Sequence, residues 1–189
     1  MWWPNQLSFR GGKLTRILAA LALAGLTAGC FQPLYGTQGS VGGPAITDKL
    51  SSVEVAPINT PNGTRLSRVG VEVRNALMYE LTGGGAAAAA NYKLDIRLSS
   101  SQTQVIVDIN TARPDIQNYG IDAIYTLTDI TNGKKVVIGQ TFSRVSYNIP
   151  GQQQRFAGDR GLRDAENRAA KVIAENIRSR LASYFTSGT

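Results

Sequence analysis

The chain offers little side-chain chemistry, and the most distinctive of it is gathered at one residue. Cys30 is the only cysteine, and it ends the stretch Leu26-Thr27-Ala28-Gly29-Cys30. A thiol placed behind small residues is a nucleophile that can be acylated. Histidine is absent altogether. That absence, with the single thiol committed elsewhere, excludes His-based triads, Cys nucleophiles and zinc sites of the His or Cys kind. It also leaves no intrachain disulfide, even in an oxidising compartment. Catalysis would have to rest on Asp, Glu, Lys, Ser or Tyr alone, so no enzyme, metal site or cofactor is expected.

The residues before Cys30 explain why it stands there. Arg10, Lys13 and Arg16 form a charged region, and Ile17 to Leu26 is an apolar run dominated by Leu and Ala. About a dozen apolar positions reach roughly 18 Å as a helix, short of the ~30 Å core that a spanning helix must cross. Residues 1–29 therefore read as an export signal. Its end resembles a bacterial lipobox, in which a signal peptidase cuts before the cysteine and the thiol, already diacylated, opens the mature chain. Thr27 stands where Leu is usual, with Leu26 one residue further back. The alternative is a spare thiol behind an ordinary cleavable signal. Lipidation of Cys30 with palmitate-type chains would anchor the protein stably, since each buried methylene contributes about 0.8 kcal/mol and two or more chains suffice.

Removing the signal takes three of the 20 basic residues and none of the 13 acidic ones, leaving 17 against 13. A net charge of +4 suits anionic partners but falls far from a nucleic-acid signature. Residues 30–48 read as a lipidated tether. Phe31 to Gly36 would either sit in the membrane interface or pack onto a partner, and Thr37 to Pro44 is uncharged and rich in Gly and Ser. Residues 49–189 leave room for one domain with a sizeable core.

Within that domain the hydrophobic spacing changes period several times. Leu50 to Ile58 alternates as a strand, stopped by Pro57 and the turn cluster Asn59 to Gly63. Leu66, Val69, Val73, Leu77 and Leu81 recur at spacings of three and four, an amphipathic helix with Thr64 as candidate cap. Gly83-Gly84-Gly85 ends it. No Lys-Ser or Lys-Thr pair follows to complete a phosphate loop, so residues 83–90 read as a connection. Tyr92, Leu94, Ile96 and Leu98 alternate as a strand. A polar stretch from Ser99 leads to Val105 through Ile109, either as one long strand whose bulge swaps its faces, the reading favoured here, or as two strands. Its far half has little sequence left to cover it. Arg113-Pro114 interrupts, and Ile121, Ala123, Tyr125 and Leu127 restart a strand. Asn132-Gly133 marks a hairpin, returning over Lys135 to about Tyr147. Leu162, Ala165, Ala169, Val172, Ile173, Ile177, Leu181 and Tyr184 then share one helical face. The order β-α-β-β-β-α predicts an α+β two-layer sandwich, a four-stranded sheet with two helices on one face.

Several segments together resemble a known family. Cys30-Phe31-Gln32-Pro33-Leu34-Tyr35-Gly36 is close to the Cys-Gly-Phe-x-Pro-Leu-Tyr-Gly opening of LptE lipopolysaccharide-assembly lipoproteins, with one Gly missing. Ala112-Arg113, Tyr125 to Asp129 before the hairpin, and Asp164-Ala165 to Arg168-Ala170 are similar to the alphaproteobacterial form, and the resemblance covers nearly all of the mature chain. It implies a non-catalytic lipoprotein on the periplasmic face of the outer membrane. Such a protein sits inside the β-barrel translocon LptD, plugs it, assists its assembly, and helps deliver lipopolysaccharide to the outer leaflet. Phe31 rather than Asp after the cysteine is consistent with outer-membrane sorting.

Lipopolysaccharide carries phosphates and carboxylates, which Arg and Lys bind by charge-assisted hydrogen bonds. Arg113, Lys134 and Lys135 are the candidates, because a breaker and a hairpin tip put them on loops; the competing reading is solvated surface charge. The barrel-facing surface is expected to include Ser99 to Ile109 and the hairpin. A rival class with a similar rhythm is an auxiliary lipoprotein of an ABC-type lipid transport system. A cell-wall enzyme working through Asp108, Asp115, Asp122 or Asp129 is a distant third.

Overall fold

A computed structural model describes residues 46–107, 114–149 and 155–187. Cys30, Arg113 and the tether before Ile46 lie outside them. The elements run α1 (Ile46–Ser51), β1 (Val53–Val55), α2 (Arg65–Thr82), β2 (Tyr92–Val107), β3 (Pro114–Asp129), β4 (Lys135–Asn148) and α3 (Arg155–Ser187). The strands form one sheet in the order β1-β2-β3-β4. β1 pairs in parallel with β2 through the α2 crossover, and β2, β3 and β4 form an antiparallel meander. This is the expected α+β sandwich.

Two boundaries and one burial differ from expectation. The segment read as a strand from Leu50 opens instead as the short helix α1, because Ile46 and Leu50 lie one turn apart and Leu50 is buried in the core. Only Val53–Val55 remains extended. β3 begins at Pro114, seven residues before Ile121. A proline is tolerated as the first residue of a strand, where its missing N–H costs the ladder little. Val172, assigned to the apolar face of α3, is 39 % exposed; it lies at the rim of the stripe, and Ala170 and Ala174 take the buried positions.

β2 is a single 16-residue strand, with register shifts between Gln104 and Ile106 and again before Val107. β1 pairs with it only from Tyr92 to Leu94, so from Asp95 onward its outer edge has no neighbouring strand among the described residues. The outer edge of β4 is likewise unpaired there.

Both long helices run in the same direction over one face of the sheet. Cross-helix pairs advance together along them: Arg65 with Asp159, Arg68 with Glu166, and Glu80 with Arg178. Between helices and sheet lie Val69, Val73 and Leu77 of α2, Leu94 of β2, Ile121 and Leu127 of β3, and Ile173, Ile177 and Leu181 of α3, all essentially inaccessible. Buried Ala165, Ala169, Ala170 and Ala174 let α3 approach closely.

The turns follow local chemistry. Thr64 caps α2, its hydroxyl accepting from the Ser67 N–H at 3.2 Å. Gly83 closes that helix in the left-handed conformation, φ +63°, its N–H donating to the Tyr79 carbonyl. The connection after it is tied down by Ala88 N–H to Ser51 O and Asn91 N–H to Ser52 O.

Candidate functional site

Strand alternation gives the sheet two faces, and the helices cover only one. Odd-numbered residues of β3 and β4 and even-numbered ones of β2 point toward the helices. The opposite phase forms rows across the uncovered face: Asp95, Thr126 and Ile138; Arg97, Ile124 and Gln140; Ser99, Asp122 and Phe142; Ser101, Gly120 and Arg144. Ile124, Ile138 and Phe142 stand 55, 68 and 67 % exposed there, three large apolar side chains on one open surface.

Cations border this patch. The Arg144 guanidinium lies 5.5 Å from the Phe142 ring centroid and donates through Nη2 to both oxygens of Asp122, at 2.7 and 3.0 Å. Its Nη1 donates to the Ile121 and Ser143 carbonyls. At the other end, Arg97, Ile124, Ile138 and Lys135 line a shallow cleft of about 600 Å³. Apolar surface beside cations is what an anionic amphiphile or a mixed protein surface would meet.

The hairpin is built by Asp129 and Asn132. The Asp129 carboxylate accepts from the Thr131 N–H at 2.8 Å and from Asn132 Nδ2 at 3.0 Å, and Asn132 Oδ1 accepts from the Lys134 N–H at 2.8 Å. Gly133 supplies the positive φ, +67°, that Asn132-Gly133 foretells. Lys134 and Lys135 follow side by side and exposed, without an acid partner among the described residues. They do not sit close to the start of β3: its 16 residues span roughly 50 Å and put Pro114 at the opposite end. Of the acids considered for catalysis, Asp122 is held by Arg144, Asp129 by the turn, and Asp108 lies outside the described residues.

Spacing alone did not reveal Ile124, Ile138 and Phe142 as one surface. The available signal was apolar residues in both phases of a strand: Ile124 interrupts the alternation of Ala123 and Tyr125, and Val136, Val137 and Ile138 are consecutive.

Burial raises the hydroxyl pKa of Tyr92, Tyr119, Tyr125 and Tyr147 above the usual tyrosine range. At Tyr119 the Ser100 side chain and the charges of Arg68 and Arg65 partly oppose it. Among the described residues no cluster of acids could hold a metal ion, and no helix is long and apolar enough to cross a membrane.

Among solved structures, a likeness of fold reaches a TM-score above 0.5 in the first of the three lipoproteins that follow. A lipoprotein from Caulobacter crescentus CB15 is 24 % identical and superposes with a TM-score of 0.59, over 76 % of this chain and 97 % of that one. Rare lipoprotein B from Shewanella oneidensis is more distant, 14 % identical with a TM-score of 0.44, over 68 and 94 %. Lipoprotein B from Nitrosomonas europaea is 13 % identical with a TM-score of 0.48, over 73 and 90 %. Comparison with curated protein sequences finds no match. The sequence profile of LptE, described as lipopolysaccharide-assembly, matches residues 50–181, from the last turn of α1 almost to the end of α3. That match spans well over half of the chain, and by it the chain belongs to the LptE lipopolysaccharide-assembly family.

Proposed function

We propose that this protein is the lipid-anchored partner of the outer-membrane β-barrel LptD, held at the periplasmic face by acyl chains on Cys30. The observation that carries the reading is the uncovered sheet face, where Ile124, Ile138 and Phe142 lie exposed together. Three large apolar side chains exposed on one face of a domain call for a covering partner. The inner wall of a wide barrel is a surface a sheet of this length can lie against, and a plug that lines the lumen would also assist the barrel's assembly. Lys134 and Lys135, with Arg113, are the cations that would meet lipopolysaccharide phosphates on the way to the outer leaflet. The role is one of binding and assembly, without catalysis.

The test is a pull-down of tagged full-length protein from detergent-solubilised outer membranes. A stoichiometric, very large β-barrel in the eluate supports the reading. An ABC transporter complex or a periplasmic lipid carrier in its place would give the protein to lipid transport instead.

A further inference from the structure

The hairpin fixes which backbone groups of β4 face outward. The Asp129 N–H donates to the Lys134 carbonyl at 2.9 Å, so Asp129 turns its backbone toward β4. Alternation turns the other odd-numbered residues of β3 the same way, onto their odd-numbered partners Val137, Gly139, Thr141 and Ser143. The N–H and C=O groups of Ile138, Gln140, Phe142, Arg144 and Ser146 therefore point away from the sheet, along an edge with no neighbouring strand among the described residues. The Ser146 carbonyl agrees with this phase, since it accepts from Arg168 Nη2 of α3 at 3.3 Å. From Ile138 to Arg144 the row has no strand to pair with.

Apolar side chains flank that row on both sides. Ile138 and Phe142 lie exposed on the uncovered face. On the helix side, Arg168, Val172 and Asn176 follow one another at a spacing of four along α3. Asn176 Nδ2 donates to the Thr141 hydroxyl at 3.1 Å, which with the Arg168 contact lays this side of α3 along the β4 margin. The exposure of Val172 thus falls beside the open edge. Bare main chain with apolar side chains above and below is what strand addition uses: the backbone gives affinity and alternate side chains give specificity.

Charge selects the occupant. β4 carries Lys135 and Arg144 and no acid. Asp122 answers Arg144, and Asp164 answers Arg168, but through exposed pairs that leave much of the positive field in place. A second copy of β4 would bring the same cations and no counter-charge, whereas a strand with acids would find partners along the edge. We propose that β4 takes up, as a fifth strand of the sheet, an extended segment of another protein that alternates apolar with polar residues and carries acids. That the segment comes from the barrel rests on the function proposed above, because barrel strands alternate in this way; the edge itself does not depend on it.

The test is residue-resolved amide hydrogen exchange on the full-length protein in detergent. The probe is a peptide of about ten residues alternating valine with threonine and glutamate, with a control in which lysine replaces glutamate. The glutamate peptide is expected to slow exchange at Ile138, Gln140, Phe142 and Arg144. Fluorescence polarisation is expected to show it binding about tenfold more tightly than the lysine peptide at low salt. Gln140→Pro removes an outward N–H that the β3 ladder does not use, and is expected to lose about tenfold or more of the affinity, while Gln140→Ala keeps it. No binding, or protection that misses these amides, overturns the proposal even if the proline variant fails to fold. Equal affinity for both peptides overturns the selection for acids. A dimer of the peptide-free protein with these amides already protected gives the edge to a second copy and overturns it as well. Peptide binding by a parent that captures no barrel sinks only the translocon reading, and barrel capture undiminished in folded Gln140→Pro sinks only the barrel as source of the strand.

Discussion

Tyr125 lays its ring over Gly139, the residue directly opposite it across the β3–β4 ladder. A Cβ placed on Gly139 would meet the Tyr125 hydroxyl at 2.5 Å and the carbon bearing it at 2.6 Å. Tyr125 is 4 % exposed beneath the helices and has nowhere to retreat. Gly139→Ala is therefore expected to destabilise the domain by about 1–3 kcal/mol, the cost of overpacking a close-packed interior. Chemical denaturation of the purified variant measures it, and an unchanged midpoint would show that the ring can move aside.

The uncovered face predicts a separation of stability from partnership. Ile138→Glu with Phe142→Glu removes two exposed apolar side chains, one of them the ring beside Arg144. The cost to folding should stay under about 1 kcal/mol, because neither side chain is in the core. Capture of the barrel should be lost. Capture at the parent level, with both glutamates in place, would remove this face from the interface.

Arg113→Gln/Lys134→Gln/Lys135→Gln should weaken binding of lipopolysaccharide, most visibly at low salt where screening is least. Because roughly 50 Å of β3 separates Pro114 from the lysines, the lysine pair and the arginine should act independently. Titration of the single, double and triple variants decides this; affinity unchanged in the triple variant strikes all three.

Tyrosine burial sets the alkaline limit. The hydroxyl pKa values of Tyr92, Tyr119, Tyr125 and Tyr147 are raised in the folded state, so above the unfolded value of about 10 the unfolded chain gives up protons that the native one keeps. Stability from these groups is fully present below pH 10 and is lost as pH rises through the folded values. With no histidine in the chain, melting temperature is expected to be level from about pH 6 to 9 and to fall above about pH 10. Circular-dichroism melts across that range test it.

Helix α2 depends on its first hydrogen bond. Thr64→Ala removes the acceptor for the Ser67 N–H and should cost about 1 kcal/mol, while Thr64→Ser should cost much less. A pair of denaturation curves compares them.

Much of this architecture was legible in the chain. Thr64 and Gly83 marked the ends of α2, Asn132-Gly133 marked the hairpin, and the alternation from Tyr92 to Leu98 marked the start of β2, because each of these signals acts through its own neighbours. What was not legible depends on distance. The strand phase carrying Ile124, Ile138 and Phe142 becomes a surface only when the register aligns β3 with β4 and both helices choose the other face. Arg65 and Arg68 are far from Asp159 and Glu166 in sequence, and nothing local announces that two helix beginnings meet. α1 was missed because six residues carry too little periodicity to compete with the strand pattern that follows.

β1 occupies only three residues of the outer edge of β2. Beyond Leu94, and along all of β4, backbone N–H and C=O groups have no strand to answer them among the described residues. Such edges are templates, and the nearest strand in a crowded membrane is another copy of the same chain. Lys93, Arg97, Lys135 and Arg144 discourage flat stacking through charge, but they do not pair the ladder. If the proposed barrel is the partner, assembly is a race between partner and copy: the first is set by how soon the barrel arrives, the second by how densely this protein accumulates. On that reading, overproduction without the barrel is expected to shift the race toward self-association.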